Sequence, residues 1–337
     1  MSESGVTSPG GRGRASAILI IGAAVCFGTT GTAQALGAPA ASAVSLGAAR
    51  IVFGGALLAL FALFAARSGA RSHPGSTAQR QARTSLLARL HAVRPVEWML
   101  VAIGAIGVAV YQPTFFTGTS QNGVAVGTLV ALGSAPVITG LLEWLVRRRA
   151  PGVRWAVATA IAALGVATLS GALSLLFGSG TTTPSTITAL GILASLGAGA
   201  SYALYALSSK ALLDRGWTPS ATMGATFGAA AVIMTPVLLG SDLAWLATSS
   251  GGLTALWLAV VTTALAYTLF ARGLRGIPAS QASTLTLVEP LTATLLGLVV
   301  LHEQFTTSIA AGLVLLAAGL AVLALSPQPK LRAGQSL

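Results

Sequence analysis

Residues 278–301 read PASQASTLTLVEPLTATLLGLVVL, and this stretch decides the fold. It contains no Asp, Lys or Arg, and its single charge, Glu289, is followed at once by Pro290. At about 1.5 Å rise per residue, a helix of this length crosses a bilayer core of about 30 Å. Glu289 would then stand about 16 Å deep, close to the midplane. Scanning outward for windows of the same character gives ten predicted spans in all. They cover 15–36, 44–66, 96–117, 124–146, 153–175, 187–213, 220–239, 253–274, 278–301 and 306–325.

The composition agrees. The chain has 337 residues, 54% hydrophobic and 8% charged, with a mean hydropathy of +0.82. Soluble domains carry about 25% charged residues, so water is not the main solvent of this surface. A cytosolic enzyme, a disordered chain and a disulfide-stapled secreted domain are excluded on that ground. Cys26 is the only cysteine, and His73, His91 and His302 stand far apart, so no metal site or cofactor is expected. His302-Glu303 also lacks the second histidine of a zinc-protease helix.

A net charge of +12 invites a nucleic-acid reading, but the placement of the charges argues otherwise. Of 19 Lys and Arg, all but Arg50 fall at alternate span junctions: 12–14, 67–94, 147–154, 210–215, 272–275 and 330–332. The intervening loops near Ala40, Gly118, Thr182, Trp245 and His302 carry none. Basic residues mark the cytoplasmic side of a membrane protein. Both termini are therefore expected inside, with an even number of crossings and no nucleic-acid partner. Arg12, Arg14 and Ala33-Gln34-Ala35 also resemble a secretory signal. An uncleaved first span is preferred because the rest of the chain repeats its pattern.

The two halves of the chain are related. One ungapped shift places Pro136 on Pro290, Gly165 on Gly319, Thr114 on Thr268 and Phe116 on Phe270. The turn Arg147-Arg148-Arg149 after span four falls, within one residue of that register, on the turn His302-Glu303-Gln304 after span nine. The first turn is basic and the second is not, so equivalent spans run in opposite directions. The expected architecture is all-α and integral to the membrane, with ten helices in two inverted five-helix repeats. The repeats occupy 15–175, including a basic loop at 67–95, and 187–326; tails of 1–14 and 327–337 lie in the cytoplasm. Two such bundles can open a shared site first to one side and then to the other.

Val288-Glu289-Pro290-Leu291-Thr292-Ala293, then Leu301-His302-Glu303-Gln304-Phe305-Thr306 and Gly312 with Gly319, form a signature. It resembles the second half of EamA-type members of the drug/metabolite transporter superfamily. Leu132-Gly133-Ser134-Ala135-Pro136-Val137 and Arg50 extend the likeness to the first half. The resemblance implies a central cavity lined chiefly by helices one, three, four, six, eight and nine. It also implies export of amino acids or other small metabolites. The basic 67–94 loop is longer than the family's usual one, and His302 stands where glycine is common.

Ionisable groups inside hydrocarbon are costly and mark candidate sites. Glu289 is read as binding a cationic group or a coupling proton, or as tolerating the break at Pro290. Arg50 is read as holding a substrate carboxylate, pairing with Glu289, or reaching to the outer interface. Tyr111 and Gln112 in span three, Tyr202 and Tyr205 in span six, Tyr267 in span eight and Thr286 in span nine complete the candidate substrate wall. Aromatic faces there suit the apolar part of a small amphipathic solute. Thr263, Tyr267 and Phe270 share one helical face by spacing. Pro136 and Pro290, at equivalent repeat positions, are read as helix breaks flanking the site. Glu143 is expected to pair with Arg147 at the interface, and 77–93 to lie on the inner leaflet, in contact with lipid, or to be a disordered linker. No P-loop is found, so energy would come from an ion or solute gradient.

Overall fold

A computed structural model describes residues 9–69, 94–148, 150–170 and 188–324. Among them there is no strand, and nine helices are long and apolar enough to cross a membrane. These are α1 (Gly13–Gly37), α2 (Ala43–Ser68), α3 (Pro95–Gly123), α4 (Val126–Arg147), α6 (Ala189–Asp214), α7 (Pro219–Leu239), α8 (Ser249–Leu274), α9 (Ala279–Val300) and α10 (Thr307–Ala324). The remaining helix, α5 (Val153–Leu169), has 17 residues. That is about 25 Å and still at the lower limit for a span. The expected continuation of α5 to 175, the inner-leaflet segment at 77–93 and the C-terminal tail lie outside the described residues.

The outer surface is what a hydrocarbon solvent selects. Phe61, Phe64, Leu190, Leu193, Val232, Val299 and Val314 are exposed, whereas the interior is rich in alanine, serine, threonine and glycine. Small residues let helices approach closely where lipid removes the hydrophobic incentive to associate.

The packing pattern displays the two-fold relation. α2 packs on α7 and α5 on α10, each a helix against its own counterpart. The contact of α3 and α4 with α6 is mirrored by that of α8 and α9 with α1. Individual glycines obey the same symmetry. A methyl at Gly165 would lie 2.5 Å from the Leu316 nitrogen, and one at Gly319 would lie 2.6 Å from the Ala162 nitrogen. The shift that carries Gly165 onto Gly319 also carries Ala162 onto Leu316. Between α2 and α7, Gly55 faces the Phe227 carbonyl and Gly224 faces the Leu58 carbonyl, again as an exchanged pair. Here the shift is longer, because the first half carries the longer loop after α2.

Two boundaries differ from the expectation. The turn predicted near Gly118 falls instead at Gly123, where φ is 78° and ψ is 157°. Gly118 remains helical because it packs against Ser195 of α6. Gly123, free of a Cβ, takes the positive φ. The preceding Asn122 then clamps the start of α6. Its Oδ1 accepts from Thr188 N at 2.8 Å and Thr188 Oγ1 at 3.0 Å, and its Nδ2 donates to Thr188 O at 3.1 Å. Losing these bonds to a buried side chain costs about 2 kcal/mol. Asn122→Ala should therefore lower the thermal midpoint of purified protein by about 5 °C. An unchanged midpoint would show that the clamp holds nothing.

The second correction concerns Pro136. α4 runs through it unbroken from Val126 to Arg147. Threonine and serine hydroxyls turn onto nearby carbonyls, Thr139 Oγ1 to Ala135 O at 2.6 Å and Ser134 Oγ to Ala131 O at 3.3 Å. Such side chains help a membrane helix absorb a proline. α9, by contrast, is divided into Ala279–Leu285 and Val288–Val300. The two equivalent helices thus hold different shapes.

Candidate functional site

The break in α9 sets the site. Leu287 N donates to Thr284 O at 3.1 Å and Glu289 N to Thr286 O at 2.9 Å, so the chain tightens for one turn before restarting. Pro290 lies in the first turn of the new helix, where its missing N–H costs little. Glu289 occupies the same turn, at a helix start that favours negative charge. Break, proline and carboxylate therefore support one another locally.

Above this break lies a cavity of about 730 Å³, within the usual range for small-molecule sites. Its wall holds Arg50, Tyr111, Gln112, Tyr202, Tyr205, Tyr267, Thr286, Glu289 and Pro290. All eight candidate substrate residues are thus brought to one space, together with one of the two prolines. Pro136 is absent from the wall; α4 contributes Thr128 and Leu132 instead.

Four helices line it from one half of the bundle, while Tyr205 of α6 and Tyr267 of α8 reach it from nearer the basic ends. On α1 it is Phe27 to Gln34, on α2 Leu46 to Ile51, on α5 Val166 to Ser170 and on α9 Thr286 to Thr294. Each stretch belongs to the helix half remote from the basic ends. Gly31 is exposed at the mouth, so the cavity reaches from the middle of the bundle toward the side without Lys and Arg. Helices two and five join the six implied by the family resemblance.

Arg50 and Glu289 share the cavity without a salt bridge between them. They lie within electrostatic reach of each other and of Tyr111 and Tyr267. No ion pair joins them among the described residues, whose salt bridges are confined to Glu143, Arg147, Lys210 and Asp214. The Arg50 guanidinium carbon stands 5.8 Å from the Phe27 ring centroid, and its Nε is buried with no hydrogen-bond partner. A cationic fork and a carboxylate are therefore both presented to the cavity.

Aromatic rings form the floor and one wall. Tyr267 lies 4.1 Å from Phe227 and 4.8 Å from Phe27, between ring centroids. Tyr202 and Tyr205 stand at 6.1 Å, and Tyr111 stacks on Phe115 at 5.8 Å. The Tyr202 hydroxyl is 3.2 Å from Thr286 Oγ1. The common face of Thr263, Tyr267 and Phe270 does not persist, because residues Val260–Leu265 form a π-helical turn. Thr263 faces Gly54 of α2, and Tyr267 alone enters the cavity. The polar run in α9 divides likewise. Thr286 lines the cavity, whereas Ser283 and Thr284 bond to Thr139 and Thr159.

Sequence reasoning missed Phe27, Thr30 and Gln34 of α1 and Ser170 of α5. The polar run Gly28-Thr29-Thr30-Gly31-Thr32 near the end of an apolar helix was the available signal for the first group. Nothing in the sequence marks Ser170.

Comparison with known proteins gives the same architecture. The model of the EamA-like transporter family matches residues 14–171 and again 189–325. The chain is 38% identical over 317 residues to a Bacillus subtilis (strain 168) protein named uncharacterized transporter YwfM, covering 94% of this chain and 96% of that one. It also superposes on a solved crystal structure with a TM-score of 0.69 at 18% identity. That match covers 91% of this chain and 96% of the other, and shows a shared fold. The chain is a multi-pass membrane transporter and belongs to the EamA-like transporter family, within the drug/metabolite transporter superfamily.

Proposed function

We propose that the chain exports a small amphipathic metabolite, an amino acid or similar solute, across the bacterial inner membrane by alternating access. The observation that carries this is the cavity with Arg50 and Glu289 unjoined on its wall. Each charge costs free energy inside the bilayer, and a solute bearing both an amino and a carboxylate group satisfies both at once. The rings of Tyr111, Phe115, Tyr202 and Tyr267 supply an apolar bed for the rest of it. The basic ends of the helices are assigned to the cytoplasm, which makes the cavity outward-facing. Among the described residues of the lining Glu289 is the only acidic one, and it is the proposed carrier of a coupling proton.

The test is a thermal-shift screen of purified protein against amino acids, nucleosides and cationic drugs, followed by flux of the best ligand in proteoliposomes. Zwitterionic solutes with apolar side chains are expected to raise the midpoint and to move faster under an imposed pH gradient. Stabilisation by none of the zwitterions would overturn the solute assignment. Flux indifferent to the pH gradient would make the chain an uncoupled facilitator.

A further inference from the structure

Between the cavity floor and the basic side, the bundle is closed by polar contacts. The inner half of α9, Ala279–Leu285, is buried at six of its seven positions. Thr284 Oγ1 lies 2.9 Å from Thr159 Oγ1 of α5, and Ser283 Oγ is 3.4 Å from Thr139 Oγ1 of α4. At its tip, Ser280 O accepts from Trp155 Nε1 at 3.1 Å, and Ser280 N donates to Glu143 Oε2 at 3.0 Å.

From Glu143 a chain of charges runs across the bundle. Glu143 Oε1 meets Arg147 Nε at 3.5 Å, Arg147 Nη2 meets Asp214 Oδ2 at 2.5 Å, and Asp214 Oδ1 meets Lys210 Nζ at 3.0 Å. Lys210 Nζ also donates to Arg275 O at 3.3 Å, after the end of α8. These are the only salt bridges among the described residues. They join α4 of the first repeat to α6 of the second, and the hydrogen bonds to Arg275 O and from Ser280 N extend the chain to the end of α8 and to α9.

The burial is graded. The side chains of Glu143 and Lys210 are 6% and 7% exposed, whereas Arg147 and Asp214 are each 40% exposed. Buried ion pairs contribute little net stability and are best explained where they set a register or a switch. The central pair, Arg147 with Asp214, is the wetted and hence separable one.

We propose that Glu143–Arg147–Asp214–Lys210 is the latch of the basic-side gate. It holds the inner half of α9 against α4 and α6, and its parting opens the cavity floor to that side. The inference rests on the alternating-access function proposed above. In the equivalent helix α9, Gly297 and the following Leu301 stand where α4 has Glu143 and Arg147, so among the described residues the other side of the bundle has no matching latch. The device is therefore asymmetric, favouring the state open away from the basic side.

The test reads accessibility, not transport. In a Cys26→Ser background, Ser283→Cys reports the closed path and Thr294→Cys reports the cavity wall. A membrane-impermeant maleimide is added to inside-out vesicles for the first and to intact cells for the second. Asp214→Asn and Arg147→Gln should each speed labelling of residue 283 about fivefold, and slow labelling of residue 294. The reversed pair, Arg147→Asp with Asp214→Arg, should restore the parent rates. Unchanged rates in both single variants would overturn the latch, as would loss of the folded protein in both, because a latch lies outside the core. Equal labelling of residue 294 from both sides in the parent would instead overturn alternating access itself.

Discussion

Glu289→Gln is expected to weaken solute binding about 30-fold, equivalent to ~2 kcal/mol, while the helix bundle stays folded. Glutamine keeps the shape of the side chain and removes only its charge. The carboxylate makes no salt bridge and stands against the cavity beside Pro290, so little of the fold depends on it. In the proposed function its partner is supplied by the solute. The ligand-induced shift in thermal midpoint should therefore disappear, whereas the midpoint of the free protein should stay within about 2 °C. Arg50→Gln should act on the other end of the same solute, with comparable loss for zwitterions and little for amines that lack a carboxylate. Full binding by both variants would remove the two charges from the site. If binding survives in Glu289→Gln but the response to a pH gradient is lost, Glu289 carries the proton and does not hold the solute.

Gly165→Leu and Gly319→Leu are expected to be equally damaging. Each glycine faces backbone of the opposing helix, at 2.5 Å and 2.6 Å for an added methyl. Backbone cannot rotate aside, so a larger side chain must separate α5 from α10. Overpacking of this kind costs about 3 kcal/mol, a fall in thermal midpoint on the order of 10 °C. The helical gain from replacing glycine, about 1 kcal/mol or less, does not offset it. The matched size of the two effects tests the repeat symmetry. A large drop in one variant and none in the other would mean that the helix pair is not arranged as an exchanged couple.

How much of this was legible beforehand follows from which forces write themselves into sequence. Hydrophobicity at the scale of a bilayer and the bias of Lys and Arg act on whole segments, so ten helices and their alternation are readable from hydropathy windows and the placement of charge. Arg50, Glu289 and the tyrosines were found because polar groups in lipid are rare enough to stand out. Proline was a weaker guide. Pro136 and Pro290 occupy equivalent positions, yet only α9 breaks. A conformational difference between two similar sequences leaves no mark in either. The π-turn at Val260–Leu265 likewise shifts Thr263 away from Tyr267 by adding a residue to one turn, which a fixed helical period cannot anticipate. The latch was visible only as Glu143 near Arg147; its links to Asp214, Lys210 and Ser280 join residues far apart in the chain.

Sidedness of the bundle is open to direct measurement. In a Cys26→Ser background, a cysteine at Thr294 should react with an impermeant maleimide in intact cells. One at Ser85, in the arginine-rich stretch after the second span, should react only once the membrane is opened. Labelling of residue 85 in intact cells, with residue 294 protected, would contradict the orientation, the outward cavity and the export built upon them.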